Sequence, residues 1–283
     1  MKTKNSKLKF MGVVNITPDS FSDGGQVNCP ELVLEKTREH YKKGASAFDF
    51  GAESTAPMNP AISGEEELKR FEELLFPVLE DITNLRKPIS IDTYKPEVFK
   101  AVAEKIYSVD SSAELIWNDV SGSVDQSLIE TLEVFPHVKY VLSHNLAPKR
   151  SLTSRHMEYQ SPRLDLEEFF KTNLKELSFH ENILLDPCFG FSKNFEQNWE
   201  LIKYMPDLAS YLKRPLVLGV SRKSFFKAIT SDFGPENDLS YRENLHSLVI
   251  SYWAENLPQG SYFIRLHDVA VGQIALQGQQ FLT

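Results

Sequence analysis

Residues 10–15, Phe-Met-Gly-Val-Val-Asn, form a short apolar run closed by a polar side chain, Asn15. Seven later runs repeat the design. SAF leads into Asp49, ISI into Asp92, LIW into Asn118, YVLS into His144 and ILL into Asp186. LVLGV leads into Ser221-Arg222-Lys223, and the last run, FIRLH, carries Arg265 and His267. Helical periodicity follows nearly every run. Leu68, Phe71, Leu75, Val78 and Leu79 predict a helix over 65–82, and Pro96 opens the next one at a first-turn position that needs no N–H. Repeated strand-then-helix units imply a parallel sheet of the α/β class. Eight of them imply a closed (β/α)8 TIM barrel, whose chemistry gathers at the carboxyl ends of the strands.

The bulk composition narrows the function. A chain of 283 residues matches one such barrel, which typically runs to about 250 residues, and no linker or low-complexity tract divides it, so a single domain over 1–283 is expected. The net charge of −8 argues against nucleic acid as a partner, because a basic face is needed to neutralise phosphates. A small anionic substrate remains open to local Lys, Arg and helix N-termini. Only two cysteines occur, Cys29 and Cys188, which favours a reducing compartment over a disulfide framework. No stretch reads as a secretory signal, and no apolar run approaches the roughly 18 residues of a membrane span. A cytoplasmic protein without a membrane partner is expected.

Asp49, Asp92 and Asp186, joined by Asn118, form the first candidate constellation. Any one strand-end Asp is as readily an N-cap for the following helix. As a group they suit a flat heterocycle that presents an N–H beside an NH2, since a carboxylate accepts two hydrogen bonds. A carboxylate metal site is the rival reading, while no His/Cys spacing suggests zinc. Ser221, Arg222, Lys223 and Ser224 lie before an expected helical turn, which suits an anion, the plainer alternative being a solvated basic turn with a Ser cap. Arg265 and His267 alternate on one strand and so share a face, with Asn15 on a neighbouring strand. They suit a second anion site or, more plainly, a strand-end salt bridge. Phe21 and Phe191 sit in polar loops, either as clips on the barrel rim or as stacking surfaces for a flat substrate.

Taken in order, NITPDSFSDGG (15–25), FDFGAEST (48–55), SIDT (90–93), NDVSG (118–122), LDPCFGF (185–191), GVSRKSFF (219–226) and FIRLHDVA (263–270) resemble dihydropteroate synthase. The resemblance covers about residues 10–270 and implies a single pterin-binding (β/α)8 barrel of folate biosynthesis. It implies condensation of 6-hydroxymethyl-7,8-dihydropterin diphosphate with 4-aminobenzoate, releasing pyrophosphate, with Mg2+ as cofactor and a homodimer as the working form. By motif, Asp49, Asp92, Asn118, Asp186 and Lys223 would hold the pterin. Asn15, Arg265 and His267 would hold the diphosphate, with Asn15 also helping to place the metal. Thr55, Pro57, Phe191, Ser221 and Ser224 would shape the 4-aminobenzoate site. The catalytic burden would fall on Asp92, Lys223, Asn15, Arg265 and His267. The loops 17–25 and 53–60 would close over the reacting centre.

Three segments depart from the pattern that the resemblance brings. GGESTRPG becomes GAESTAPM, so Ala56 stands where an arginine is expected, a lost charge-assisted contact of about 1.5–3 kcal/mol if uncompensated. Arg70, Lys149, Arg150 and Arg155 are the candidate substitutes. Met-His-Met becomes Ser143-His144-Asn145, which removes a methionine expected to pack on the pterin at Asn145. DPGFGFGK becomes DPCFGFSK, with Cys188 and Ser192 in place of glycines and Lys193 kept. Two other readings fit fewer residues: a weakly active or non-catalytic pterin-binding paralogue, and a pterin-dependent methyltransferase domain of the corrinoid type, which needs neither the first loop nor SRKS.

Overall fold

The computed structural model describes residues 8–17, 28–54, 60–145, 159, 161–234 and 238–282. Eight strands follow the eight runs: β1 (Leu8–Asn15), β2 (Ala47–Gly51), β3 (Ile89–Asp92), β4 (Leu115–Asp119), β5 (Lys139–Ser143), β6 (Ile183–Asp186), β7 (Leu216–Leu218) and β8 (Tyr262–Leu266). They pair in chain order, all parallel, and β1 closes on β8 to make a barrel. The helices are α1 (Pro30–Lys42), α2 (Gly64–Leu74), α3 (Leu79–Thr83), α4 (Pro96–Val109), α5 (Gln126–Val134), α6 (Pro162–Glu176), α7 (Phe195–Leu212), α8 (Lys227–Thr230), α9 (Asp238–Asn256) and α10 (Val269–Leu282).

The period-two geometry of a strand explains the division of labour in each run. Phe48 and Phe50 on β2, Ile89 and Ile91 on β3, Leu115 and Trp117 on β4, and Tyr140 and Leu142 on β5 point outward into the main core beneath the helices. The alternate residues point into the barrel. Met11, Ala47, Ile116, Val141, Leu184, Val217 and Phe263 form a separate buried cluster there, the apolar floor. Full burial of each such large side chain contributes about 1.5–3 kcal/mol. Two residues beyond the floor stand Val13 on β1 and the polar Asp49, Asn118, Ser143, Asp186 and Arg265. A polar crown therefore sits directly on an apolar floor.

Local chemistry starts the helices where expected. Ser63, Asp125, Ser161 and Asn194 accept N-terminal N–H groups of α2, α5, α6 and α7, and proline occupies the first turn of α1, α4 and α6. Gly12 is required where α1 meets β1, because a Cβ there would lie 2.6 Å from the His40 ring. The helix expected over 65–82 is interrupted. A short 3-10 turn at Phe76–Val78 carries Pro77, which has no N–H for the helical ladder, and α3 restarts beyond it. The last strand but one is also shorter than the apolar run PLVLGVS suggests, since only Leu216–Leu218 pair.

Candidate active site

Inside the crown, Arg265 reaches across from β8 to two carboxylates. Its Nε donates to Asp49 Oδ2 at 2.7 Å, and its Nη2 donates to Asp92 Oδ2 at 2.6 Å. Asn118 Nδ2 lies 3.3 and 3.2 Å from the two oxygens of Asp49. Asp49, Asn118 and Asp186 are buried, whereas Asp92 and Arg265 keep partial exposure toward the mouth. Asp92 Oδ1 and Asn118 Oδ1 are buried with no hydrogen-bond partner. Both are acceptors, so the cavity offers unfilled places to N–H groups of a ligand.

None of the strand-end aspartates caps a helix, for α2, α4 and α7 take Ser63, Lys95 and Asn194 as their N-caps. Asp186 Oδ1 instead accepts the Cys188 N–H at 2.7 Å, which leaves its second oxygen to the interior. The plainer reading of Arg265 does hold here, because it forms a strand-end ion pair with Asp49 and Asp92. The pair lies at the site itself, so the same guanidinium joins the acceptor crown to whatever lies above it.

The loops after β6 and β7 supply the remaining groups. Lys223 Nζ lies 4.3 Å from the Phe191 ring centroid, within cation–π range. Gly190 permits that approach: it is left-handed (φ 81°), and a Cβ would lie 3.2 Å from Lys223 Cδ. Lys193 donates to the carbonyls of His144, Cys188 and Phe191 at 3.0, 3.3 and 3.2 Å and so ties the β6 loop to the end of β5. Cys188 and Ser192 both have φ 52°. These are the two positions where the resemblance expects glycine, and the left-handed backbone is the physical reason. Ser221 is buried, and its Oγ lies 3.0 Å from His267 Nδ1, which joins two of the expected subsites. Ser224 is exposed and begins the expected helical turn, which is of the 3-10 kind and runs on into α8. The basic turn is not simply solvated, since Arg222 pairs with Glu243 and Lys223 is half-buried.

Burial dominates the electrostatics. It pushes the Asp92 carboxyl up to about 7, with Arg265 opposing the rise and Asp49 adding to it. Burial raises Asp186 as well, offset by the Cys188 N–H and by nearby cations. Lys223 is lowered by burial. Burial, reinforced by Arg222 and Arg265, holds His267 well below its usual value and keeps the ring neutral near pH 7.

Asn15 ends β1 on the inward face, beside Gly51 in register and half-buried. No group of three or more His, Cys, Asp or Glu able to hold a metal occurs among the described residues. A single amide oxygen still fits Mg2+, which keeps several waters and binds through one or two protein groups together with substrate phosphates. Thr55, Pro57, Ala56 and Phe21 lie outside the described residues, as do most of the first loop and Lys149, Arg150 and Arg155. Of the candidate substitutes for the missing arginine, Arg70 alone can be located. It donates to the Ala52 carbonyl at 2.9 Å and pairs with Glu66, at the root of the second loop.

Two features go beyond the sequence expectations. Lys95 is buried between Glu53 and Glu67, with 2.5 Å to Glu67, and so fixes the same loop root. The inward-facing member of the β5 segment is Ser143, two residues beyond Val141 of the barrel floor. Asn145, where a pterin-packing methionine was expected, instead donates its side-chain amide to the Val120 carbonyl at 2.8 Å. Counting by two from Val141 would have identified Ser143.

A family profile described as pterin binding enzyme matches residues 11–267. A dihydropteroate synthase from Clostridium beijerinckii is 32% identical over 260 residues, 92% of this chain and 88% of that protein. The Yersinia pestis dihydropteroate synthase, solved with a sulfonamide drug complex, superposes with a TM-score of 0.82 at 27% identity, covering 98% of this chain and 94% of that one. The Thermus thermophilus enzyme in complex with 4-aminobenzoate gives 0.75 at 29% identity, covering 98% and 95%.

Proposed function

The chain belongs to the pterin-binding enzyme family, alongside the dihydropteroate synthases, and from that premise we propose how its residues divide the work of a dihydropteroate synthase. The enzyme condenses 6-hydroxymethyl-7,8-dihydropterin diphosphate with 4-aminobenzoate to give 7,8-dihydropteroate and pyrophosphate. The carrying observation is the acceptor-lined crown, in which Asp92 Oδ1 and Asn118 Oδ1 are buried and unpartnered above an apolar floor. A pterin fits such a cavity by stacking on apolar walls and giving its ring N–H and NH2 groups to Asp49, Asp92, Asn118 and Asp186.

In the reaction the methylene C–O bond breaks and its electron pair leaves with pyrophosphate. The aryl amine then forms the C–N bond and loses a proton. Positive charge develops on the pterin methylene, and the ionised Asp92 is the carboxylate we assign to stabilise it. Arg265 must exchange part of its hold on Asp49 and Asp92 for the diphosphate, with neutral His267 and Asn15 beside it. Lys223 and Phe191 form one wall, with Ser221 and Ser224 toward the 4-aminobenzoate side. Thr55 and Pro57 belong to that same subsite by motif. Asn15 would help to hold Mg2+ beside the diphosphate, where the ion would supply charge neutralisation of the leaving group.

A reducing, cytoplasmic location accords with Cys29 and Cys188 both being free thiols, and no described helix is long and apolar enough to cross a membrane. A homodimer packed through outer helices accords with the exposed Leu248, Ile274 and Phe281 of α9 and α10. A coupled pyrophosphate-release assay with both substrates tests the central assignment. Turnover dependent on 4-aminobenzoate is expected, whereas pterin binding without turnover would reduce the protein to a pterin-binding paralogue.

A further inference from the structure

Ser143 is fully buried at the inner end of β5, in register with Asp186 on β6. Its face is fixed by alternation, because Val141 below it belongs to the barrel floor and Leu142 between them to the outer core. Its hydroxyl has no hydrogen-bond partner of acceptable geometry. The Cys188 thiol bears on it, but a thiol is a weak partner in either role. Burial holds that thiol up to about 12, so it stays protonated and supplies no thiolate acceptor.

A buried hydroxyl left unpaired is disfavoured unless something else completes it. Of the other unpartnered atoms lining the barrel, Asn118 Oδ1 and the ionised Asp92 Oδ1 accept, while the Ser90 hydroxyl lies lower on β3, in register with Ile116 of the floor. A hydroxyl can donate. A pterin ring carries acceptors, its oxo group and ring nitrogens, as well as the donors that the carboxylates read. Acceptors on β3 and β4 with a donor on β5 therefore match the mixed edge of such a ring, where acceptors alone would not.

We propose that Ser143 is a pterin-recognition residue of this chain, its hydroxyl donating to an acceptor on the bound heterocycle. This rests on the pterin reading of the barrel. The test is calorimetric titration of the full chain with 6-hydroxymethylpterin, for wild type, Ser143→Ala, Ser143→Cys and Asp186→Asn. Both Ser143 variants remove the strong donor, so either suffices if the other does not fold. Each is expected to weaken binding about tenfold. In turnover, KM for the pterin diphosphate should rise while kcat and KM for 4-aminobenzoate stay within about twofold. A hydroxyl that is merely unpaired would behave differently: its removal would raise Tm and leave Kd unchanged. An unchanged Kd in the Ser143 variants, with Asp186→Asn weakened, would overturn this proposal and leave the pocket standing. If the wild type does not bind the pterin, or Asp186→Asn binds as wild type does, the pterin reading itself falls and takes the proposal with it.

Discussion

Asp92 carries two opposed influences on one side chain. Burial favours its neutral form, and Arg265 at 2.6 Å favours its charged form, with the balance near 7. The sign of the consequence follows from the role assigned to it. Below pH 7 the carboxyl is increasingly protonated and loses its power to stabilise a developing cation, so kcat/KM should fall on the acid side with an inflection near 7. Asp92→Asn should abolish that limb and lower kcat by about 10²–10³-fold, the usual effect of removing one preorganised charge partner. Arg265→Met should move the limb to higher pH, because the group opposing the rise is gone. A pH–rate profile of the three proteins checks all of this, and a limb that survives in Asp92→Asn would assign the titration to another group.

At the scale of elements, the second loop depends on an ion cluster that joins three of them. Lys95, the N-cap of α4, is buried between Glu53 at the end of β2 and Glu67 in α2. Burial raises Glu67, and Lys95 opposes that rise. Lys95→Met would leave two buried carboxylates without their cation, a loss of about 3–5 kcal/mol. The variant should be weakest at alkaline pH: Glu67, raised by burial and no longer opposed by Lys95, would bind its proton more tightly folded than unfolded, so stability falls as pH rises above the carboxylate range. Urea unfolding at pH 5.5 and 8 tests this, and equal losses at both would mean that packing rather than charge sets the effect. The cluster was not legible in the sequence, because its partners stand 42 and 28 residues from Lys95 and no periodicity links them. The strands were legible because each writes its own alternation, Phe48 and Phe50 out and Asp49 in. The helix over 65–82 was overextended because its apolar spacing persists through Pro77, where the backbone cannot follow. Motif order marks the segment 143–145 as altered, but only the strand's period of two shows that Ser143 is its inward-facing member.

For the molecule as a whole, barrel closure is uneven. Five residue pairs register β1 with β2 and five register β1 with β8, whereas β6 and β7 share the single pair Leu185 and Leu216. That seam lies directly beneath the loops bearing Cys188–Lys193 and Ser221–Ser224, which form the wall beside the crown. Few ladder hydrogen bonds per strand mean a lower free energy for local opening. A site that admits two substrates gains from having its compliance there, while Asp49, Asp92 and Asn118 rest on the better-paired β2 to β4 and Asp186 alone stands at the seam. Hydrogen exchange measured by mass spectrometry should therefore find the amides of Leu216–Leu218 exchanging ahead of those of Leu8–Asn15 in the free protein. A pterin ligand that touches both Asp186 and Lys223 bridges the seam, so its binding should slow exchange in β7 more than in β1. Equal protection of the two strands in the free protein would assign the barrel a single cooperative opening and remove the seam from the account of how the site admits its substrates.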